Sequence, residues 1–362
     1  MPARLERLRE RTNGYTVTPA QYLLVAYVAL GALTLIVLSG AAVRLSGSGL
    51  GCPDWPKCYG KAYPPLDAHA LIEFSNRVIT VPVSLAAGAA WLGALRRRPY
   101  RRDLTLLGAL LPLGVVGQAV LGGFTVRGEL NYGWVMGHFA LSMLILLAAT
   151  ALASRARGEA PAAGRAPGVR PALNGRAPSV PSARRDGTSG EDRGVVVAVR
   201  ALATLGALTI FAGTAATAAG PHAGGSPGQR INRLDFEGRG TMDFVIHRHG
   251  EIALAFGLAA VAVWWLARRR AAGAMVPRSL TVLCVLLALQ GVVGLDQYET
   301  HLPTELVWVH VALACAAWLA ALWAAWSAGR LAPRALLAPA RAAHGEAGGA
   351  RELPVGRPST GS

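Results

Sequence analysis

The chain has 362 residues, of which 52% are hydrophobic and only 15% charged, against roughly 25% charged in an average soluble domain. That excludes an ordinary soluble enzyme, and a total of four cysteines excludes a disulfide-dense secreted scaffold. The net charge of +16 suits a nucleic-acid binder only if the basic residues form one polar patch, so their positions decide.

A hydrocarbon core of about 30 Å needs roughly 20 mostly apolar residues per helix. Eight stretches meet or approach that length: 20–43, 71–95, 104–126, 134–153, 195–219, 244–267, 279–296 and 305–328. The first is too long for a signal-peptide core and reads as a true first span. Residues 1–19 form a cytoplasmic N-terminus. Residues 154–194, rich in Ala, Gly, Pro, Arg and Ser without hydrophobic period, read as a disordered cytoplasmic linker, and 329–362 as a disordered cytoplasmic tail.

All of the 36 basic residues except Lys57 and Lys61 are Arg. Twenty-six fall in the N-terminus, the second-to-third connection, the linker, connection 268–278 and the tail; seven fall on the opposite side. Since Lys and Arg accumulate on the cytoplasmic face, both termini are expected there. The basic charge is a topology signal and needs no nucleic acid.

The spans repeat. Val135-Met136-Gly137-His138-Phe139-Ala140-Leu141 matches Val307-Trp308-Val309-His310-Val311-Ala312-Leu313 at an offset of 172, as Gln118 to Gly122 matches Gln290 to Gly294. Asn76-Arg77 matches His247-Arg248 at an offset of 171. The expected fold is thus all-α, with helices 1–4 (20–153) and 5–8 (195–328) as two parallel-repeated four-helix bundles.

Ionisable residues inside spans default to function and face the bundle interior. His138, His247 and His310 lie near outer helix ends, and two imidazoles from facing helices are a natural axial pair for haem iron. An interhelical hydrogen bond is the bland alternative. Zinc is weaker, because no Cys or carboxylate cluster completes a tetrahedral set. Arg77 and Arg248 can pair with haem propionates or simply snorkel to the interface. His69, His222 and His301 read as loop residues, His344 as a tail residue, and His249 as a non-ligand on a different helix face from His247.

The halves differ. Helix 2 carries Asn76 where helix 6 carries His247, so the N-terminal half offers His138 and an amide. Glu73, three residues before Asn76, either handles protons or pairs with Arg77 one turn on. Cys52 and Cys58 occur only in the first outer loop, on the oxidising side where a disulfide can persist. Their role is structural bracing unless the bond is exposed or strained. Cys284 and Cys315 sit inside spans.

Residues 39–60, with Ser39-Gly40-Ala41-Ala42-Val43-Arg44-Leu45-Ser46-Gly47-Ser48-Gly49-Leu50 continuing through Cys52-Pro53-Asp54-Trp55-Pro56 to Cys58, resemble the first outer loop of the heme A synthase family. Ile72-Glu73-Phe74-Ser75-Asn76-Arg77 resembles its helix-2 motif, and Gln118 to Thr125 its helix-3 motif. Gly137-His138, His247-Arg248 and His310 fit its histidine positions. The resemblance covers about residues 20–328. It implies a multi-pass oxidoreductase of a bacterial plasma membrane that oxidises a methyl of haem O to formyl, through a hydroxymethyl stage, giving haem A for terminal oxidase assembly. It further implies haem b on His247 and His310 with Arg248, haem O facing His138, Asn76 and Arg77, Glu73 beside the reacting edge, and a Cys52–Cys58 disulfide. Haem O synthase and oxidase assembly factors are the partners it suggests; a second copy of the chain is a further candidate, and the electron partner is open. The chain departs from the family at Asn76, where many members carry His, and in having no second Cys pair within residues 220–243.

Two other classes compete on the repeat and histidines alone: a membrane b-type cytochrome that only transfers electrons, and a parallel-repeat transporter. The asymmetric Glu73 and Cys loop favour chemistry in one half, and the loop motif favours the synthase.

Overall fold

A computed structural model describes residues 16–158, 192–226, 228–236 and 240–329. It holds eight long helices and, among the described residues, no strand: α1 (Pro19–Leu45), α2 (Ala68–Arg96), α3 (Arg102–Arg127), α4 (Tyr132–Arg157), α5 (Arg193–Ala219), α6 (Thr241–Arg269), α7 (Met275–Glu299) and α8 (Thr304–Ser327). All eight are long and apolar enough to cross a membrane. The greater part of the expected linker and nearly all of the expected tail (residues 159–191 and 330–362) lie outside the described residues.

Most helices outrun the apolar stretches that announced them, because their ends are polar caps that hydropathy discounts. The Thr18 hydroxyl accepts from Gln21 N at 3.3 Å and closes a capping box ahead of Pro19. The Asp67 carboxylate accepts from Ala70 N at 3.0 Å. Asp192 caps α5 by accepting from Gly194 N at 2.8 Å and Val195 N at 3.3 Å. Those backbone bonds, the Val195 one foremost, with the Arg270 guanidinium 3.0 Å away, hold its carboxyl below the usual range. Arg44, Arg96, Arg127, Arg155, Arg157, Arg268 and Arg269 fall in last turns, where a cation suits the helix dipole.

Helices α1 to α4 close a ring of neighbours (α1 on α2, α2 on α3, α3 on α4, α4 on α1), and α5 to α8 close a second in the same order. The rings meet along α4 and α8, flanked by α1 on α8 and α4 on α5. In lipid, apolar burial gives little drive for association, so close backbone approach and interhelical polar contacts carry it. Ala26, Ala87, Ala90 and Ala94 are fully buried accordingly, and a Cβ on Gly108 of α3 would come within 3.2 Å of the Ala90 carbonyl on α2. The Tyr22 hydroxyl donates to that same carbonyl at 3.1 Å. Between rings, Trp318 Nε1 donates to Met143 O and Trp308 Nε1 to Leu38 O, each at 3.2 Å. Leu35, Leu85, Leu113, Leu258 and Val292 instead point outward and are exposed, as lipid-facing side chains are.

The two ends of the bundle differ in chemistry. At one end Val17 pairs with the Arg96–Arg98 backbone, Asp103 of α3 meets Arg101 and Arg155, and Arg270 meets Asp192. At the other end lie the connections 46–67, 128–131, 220–240 and 300–303. There Gly49 N donates to Gly224 O at 2.8 Å, and the Arg44 guanidinium donates to His222 O at 3.0 Å and Thr217 O at 3.2 Å.

Candidate functional site

The candidate residues gather at the second end. Cys52 and Cys58 are paired in a disulfide, fully buried under the loop they close. Gly51 must be glycine, since a Cβ there would run into the His69 carbonyl. The loop is held down from α2. Arg77 Nη1 donates to the carbonyls of Lys57 (2.8 Å), Asp54 (3.1 Å) and Pro56 (3.3 Å), and Nη2 donates to Cys52 O (3.4 Å) and to the Glu73 carboxylate. The Trp55 ring lies 5.2 Å from the guanidinium carbon and rests on α3 at Gly123, where no side chain would fit. The other Glu73 oxygen accepts from Cys52 N at 2.7 Å. The ion pair between Glu73 and Arg77 that the spacing offered is formed. Arg77 spends its donors on the loop rather than holding them out for a propionate.

Deeper in each ring, one set of contacts occurs twice. On α3, Gln118 Nε2 donates to the His138 carbonyl of α4 at 3.0 Å and lies 2.7 Å from Ser142 Oγ. On α7, Gln290 Nε2 donates to the His310 carbonyl of α8 at 3.1 Å. One turn on, Gly122 and Gly294 give the rings room: a Cβ would stand 3.5 Å from His138 Cε1 and 3.2 Å from His310 Cε1. The Nδ1 atoms of His138 and His310 and the Oε1 atoms of Gln118 and Gln290 are buried with no hydrogen-bond partner among the described residues.

The structure brings His249, not His247, to His310. Their ring centroids lie 6.3 Å apart at an interplanar angle of 71°, and His249 Nδ1 is also buried without a partner. His247 is exposed: its Nδ1 sits 2.7 Å from the Asp243 carbonyl and its ring meets the edge of Tyr298. Arg248 is exposed too, paired with Glu251 at 2.7 Å. Two residues along a helix advance about 200°, so His247 and His249 take opposite faces and only one can serve the interior. The dipeptide match that placed His247 opposite Asn76 ran at an offset of 171, whereas α2 and α6 correspond at 173. At that offset Gly40 corresponds to Gly213, and Asn76 to His249. The contacts agree: a Cβ on Gly40 would stand 4.0 Å from Asn76 Nδ2, and one on Gly213 3.0 Å from His249 Cε1. The glycine pair on the first helix of each half is the signal in the sequence that could have found His249. Asn76 itself is held by Ser39, whose hydroxyl donates to Asn76 Oδ1 at 2.7 Å, a partner that no spacing announced.

The sequence matches the family of cytochrome oxidase assembly proteins over residues 23–322, a stretch that takes in nearly all of α1 to α8. The chain belongs to that family. Among individual relatives, a heme A synthase of Lysinibacillus sphaericus is 35% identical over 120 residues, covering 33% of this chain and 37% of the relative. A heme A synthase of Shewanella oneidensis is 33% identical over 135 residues, covering 31% and 40%. A protoheme IX farnesyltransferase of Thermus thermophilus is 34% identical over 122 residues, covering 32% of this chain and 19% of that protein. The aligned stretches thus span no more than 40% of those relatives.

The loop and helix motifs imply a haem. Two metal–nitrogen bonds of about 2.0–2.1 Å each, added to the two ring radii, fill the 6.3 Å between the His249 and His310 rings. Among the described residues no three His, Cys, Asp or Glu converge on one point, so two imidazoles are what this pair offers a metal. A haem fits the pair. His138 has no second imidazole facing it from α2.

Proposed function

We propose that this chain is a heme A synthase: it oxidises a methyl group of haem O to formyl, through a hydroxymethyl intermediate, for terminal oxidase assembly. The observation that carries the reading is the asymmetry of the two rings: two imidazoles beside each other in one, a single imidazole under a disulfide-closed loop in the other. The likeness to the two named heme A synthases supports it.

In this reading α1 to α4 (within 20–153) and α5 to α8 (within 195–328) are two copies of one four-helix unit related by an axis along the membrane normal. Haem b is held by His249 and His310 in the second copy, and it supplies electron transfer to or from the substrate site. Haem O binds in the first copy against His138. Glu73, fixed between Arg77 and the Cys52 amide, stands at the mouth of that site, where a carboxylate can take up or release protons. Arg77 serves the substrate by keeping the loop closed, which keeps water from the pocket. The Cys52–Cys58 bond holds that loop in one shape. The membrane is the plasma membrane of a bacterium and both termini are cytoplasmic, since the basic residues collect at the terminal end of the bundle. The farnesyltransferase likeness over a short segment supports haem O synthase as the neighbour that delivers substrate, with oxidase assembly factors receiving the product.

Coexpression in a host that makes haem O, followed by chromatography of extracted haems, tests the reaction. Haem A should accumulate; haem O left unconverted under air beside folded, haem-loaded protein would instead favour a cytochrome that only transfers electrons. The ligand pair has its own test. His249→Ala and His310→Ala should each abolish the low-spin haem b spectrum, and His247→Ala should leave it intact. A lost spectrum in His247→Ala with a retained one in His249→Ala would return the ligand to the outer face of α6.

A further inference from the structure

If haem O binds in the first ring, the helix-2 position facing it is an amide. Asn76 takes on α2 the place that His249 takes on α6: each abuts the corresponding glycine of the neighbouring first helix, Gly40 or Gly213. Across from it, Gln118, Gly122 and His138 repeat the cradle of Gln290, Gly294 and His310. The Asn76 amide oxygen accepts from Ser39 Oγ at 2.7 Å, the shorter of the two contacts that this hydroxyl makes, the other being to the Ile36 carbonyl at 3.2 Å. What remains of Asn76 is its NH2, which donates and does not ligate.

We propose that the substrate haem iron is held by His138 alone, and that Asn76, positioned by Ser39, turns its NH2 toward the open axial face as a hydrogen-bond donor. The inference deepens the heme A synthase reading and rests on it. The two rings then divide their labour by one residue. Two imidazoles fill both axial positions in the second ring, the setting of electron transfer; one imidazole and an amide leave a position for a small ligand in the first. A donor fixed before the ligand arrives costs no reorganisation when charge builds on that ligand.

The test uses the full-length protein carrying its resident low-spin haem, reduced without air, titrated with haem O and then with carbon monoxide. The added haem should be high-spin and should take up carbon monoxide, while the resident haem stays low-spin and inert. Asn76→His should turn the added haem low-spin and abolish its carbon monoxide uptake. Asn76→Leu should keep the uptake but shift the C–O stretching frequency, and Ser39→Ala should shift it in the same direction by less. His138→Ala should lose the added haem and keep the resident signal, which also reports that the protein is folded. An added haem in the wild type that is low-spin and inert overturns the proposal, as does a C–O stretch that Asn76→Leu leaves unmoved. Resident low-spin haem without any uptake of added haem also overturns it, by removing the substrate site. Absence of the resident low-spin haem overturns the two-imidazole reading beneath it.

Discussion

Arg77 does more work in the structure than its place in the sequence suggests. Its side chain and that of Glu73 are only 13% and 8% exposed, and five oxygens surround the guanidinium: four loop carbonyls and the carboxylate. A planar fork of five donors meets such a set where a point charge cannot. Removing one member of a buried ion pair costs about 3–5 kcal/mol, because the other is left uncompensated. Arg77→Leu should therefore destabilise the 46–67 loop on that scale, seen as faster proteolysis within it and a lower unfolding temperature. Arg77→Lys should recover little. In the double variant Arg77→Leu/Glu73→Leu the stranded charge is gone, so part of the loss should return while the loop stays loose. A double variant no more stable than Arg77→Leu would show that the pair's charge is not what the single change strands. Glu73 was legible as an asymmetric residue, and its spacing to Arg77 offered the ion pair. The four carbonyls were not legible, because they come from a loop some 20 residues upstream whose path depends on the disulfide and on Trp55 meeting α3 at Gly123.

At the scale of the helix, number and type could be read from hydropathy because lipid makes each span apolar nearly all round. That same uniformity hides rotation. A helix with lipid on one side and alanine packing on the other has no sharp polar face, so the sequence could not say which of His247 and His249 looks inward. The third-helix motif was legible as a repeat, Gln118 to Gly122 with Gln290 to Gly294. Its meaning was not, since a glutamine reaching the backbone carbonyl of a histidine on the next helix is a contact between elements. Glycine on the first helix of each half, and Gly294 on α7, complete the cradle and can be tested by adding a methyl. Gly213→Ala places its Cβ 3.0 Å from His249 Cε1, and Gly294→Ala 3.2 Å from His310 Cε1; both are tight enough that the ring must give way. Gly40→Ala reaches Asn76 Nδ2 at an ordinary 4.0 Å. The first two should weaken or broaden the low-spin haem signal, and Gly40→Ala should leave it unchanged. Equal effects from all three would mean that ring placement is not set by these glycines.

For the whole molecule, the question is what keeps the two rings in one arrangement while each does a different job. The helix contacts along α4 and α8 are largely apolar, with the Trp318 and Trp308 N–H groups as their polar points, whereas the end that holds connections 46–67 and 220–240 carries a denser polar lock. The Arg44 guanidinium, at the end of α1 in the first ring, donates to Thr217 O and His222 O of the second. Around it, Gly49 N bonds Gly224 O, and Ser226 Oγ donates to Gly47 O at 3.0 Å. A Cβ at Gly47 would lie 2.9 Å from the Gly225 carbonyl, and Gly47 has a φ of +67°, so this crossing admits glycine and little else. Hydrogen bonds to a charged group contribute about 1.5–3 kcal/mol each. Arg44→Leu should therefore lower the unfolding temperature and open connection 220–240 to protease, and Arg44→Lys should not rescue it, since one ammonium cannot serve two carbonyls in fork geometry. The low-spin haem b signal should survive, because His249 and His310 both belong to the second ring. In the proposed reading electrons pass between haem b in the second ring and the substrate site in the first, so turnover should fall when the junction that Arg44 holds is loosened. If the low-spin signal disappears with turnover, the lock supports the second ring itself. If turnover and unfolding temperature both match the unmodified protein, the helix contacts alone hold the rings in register.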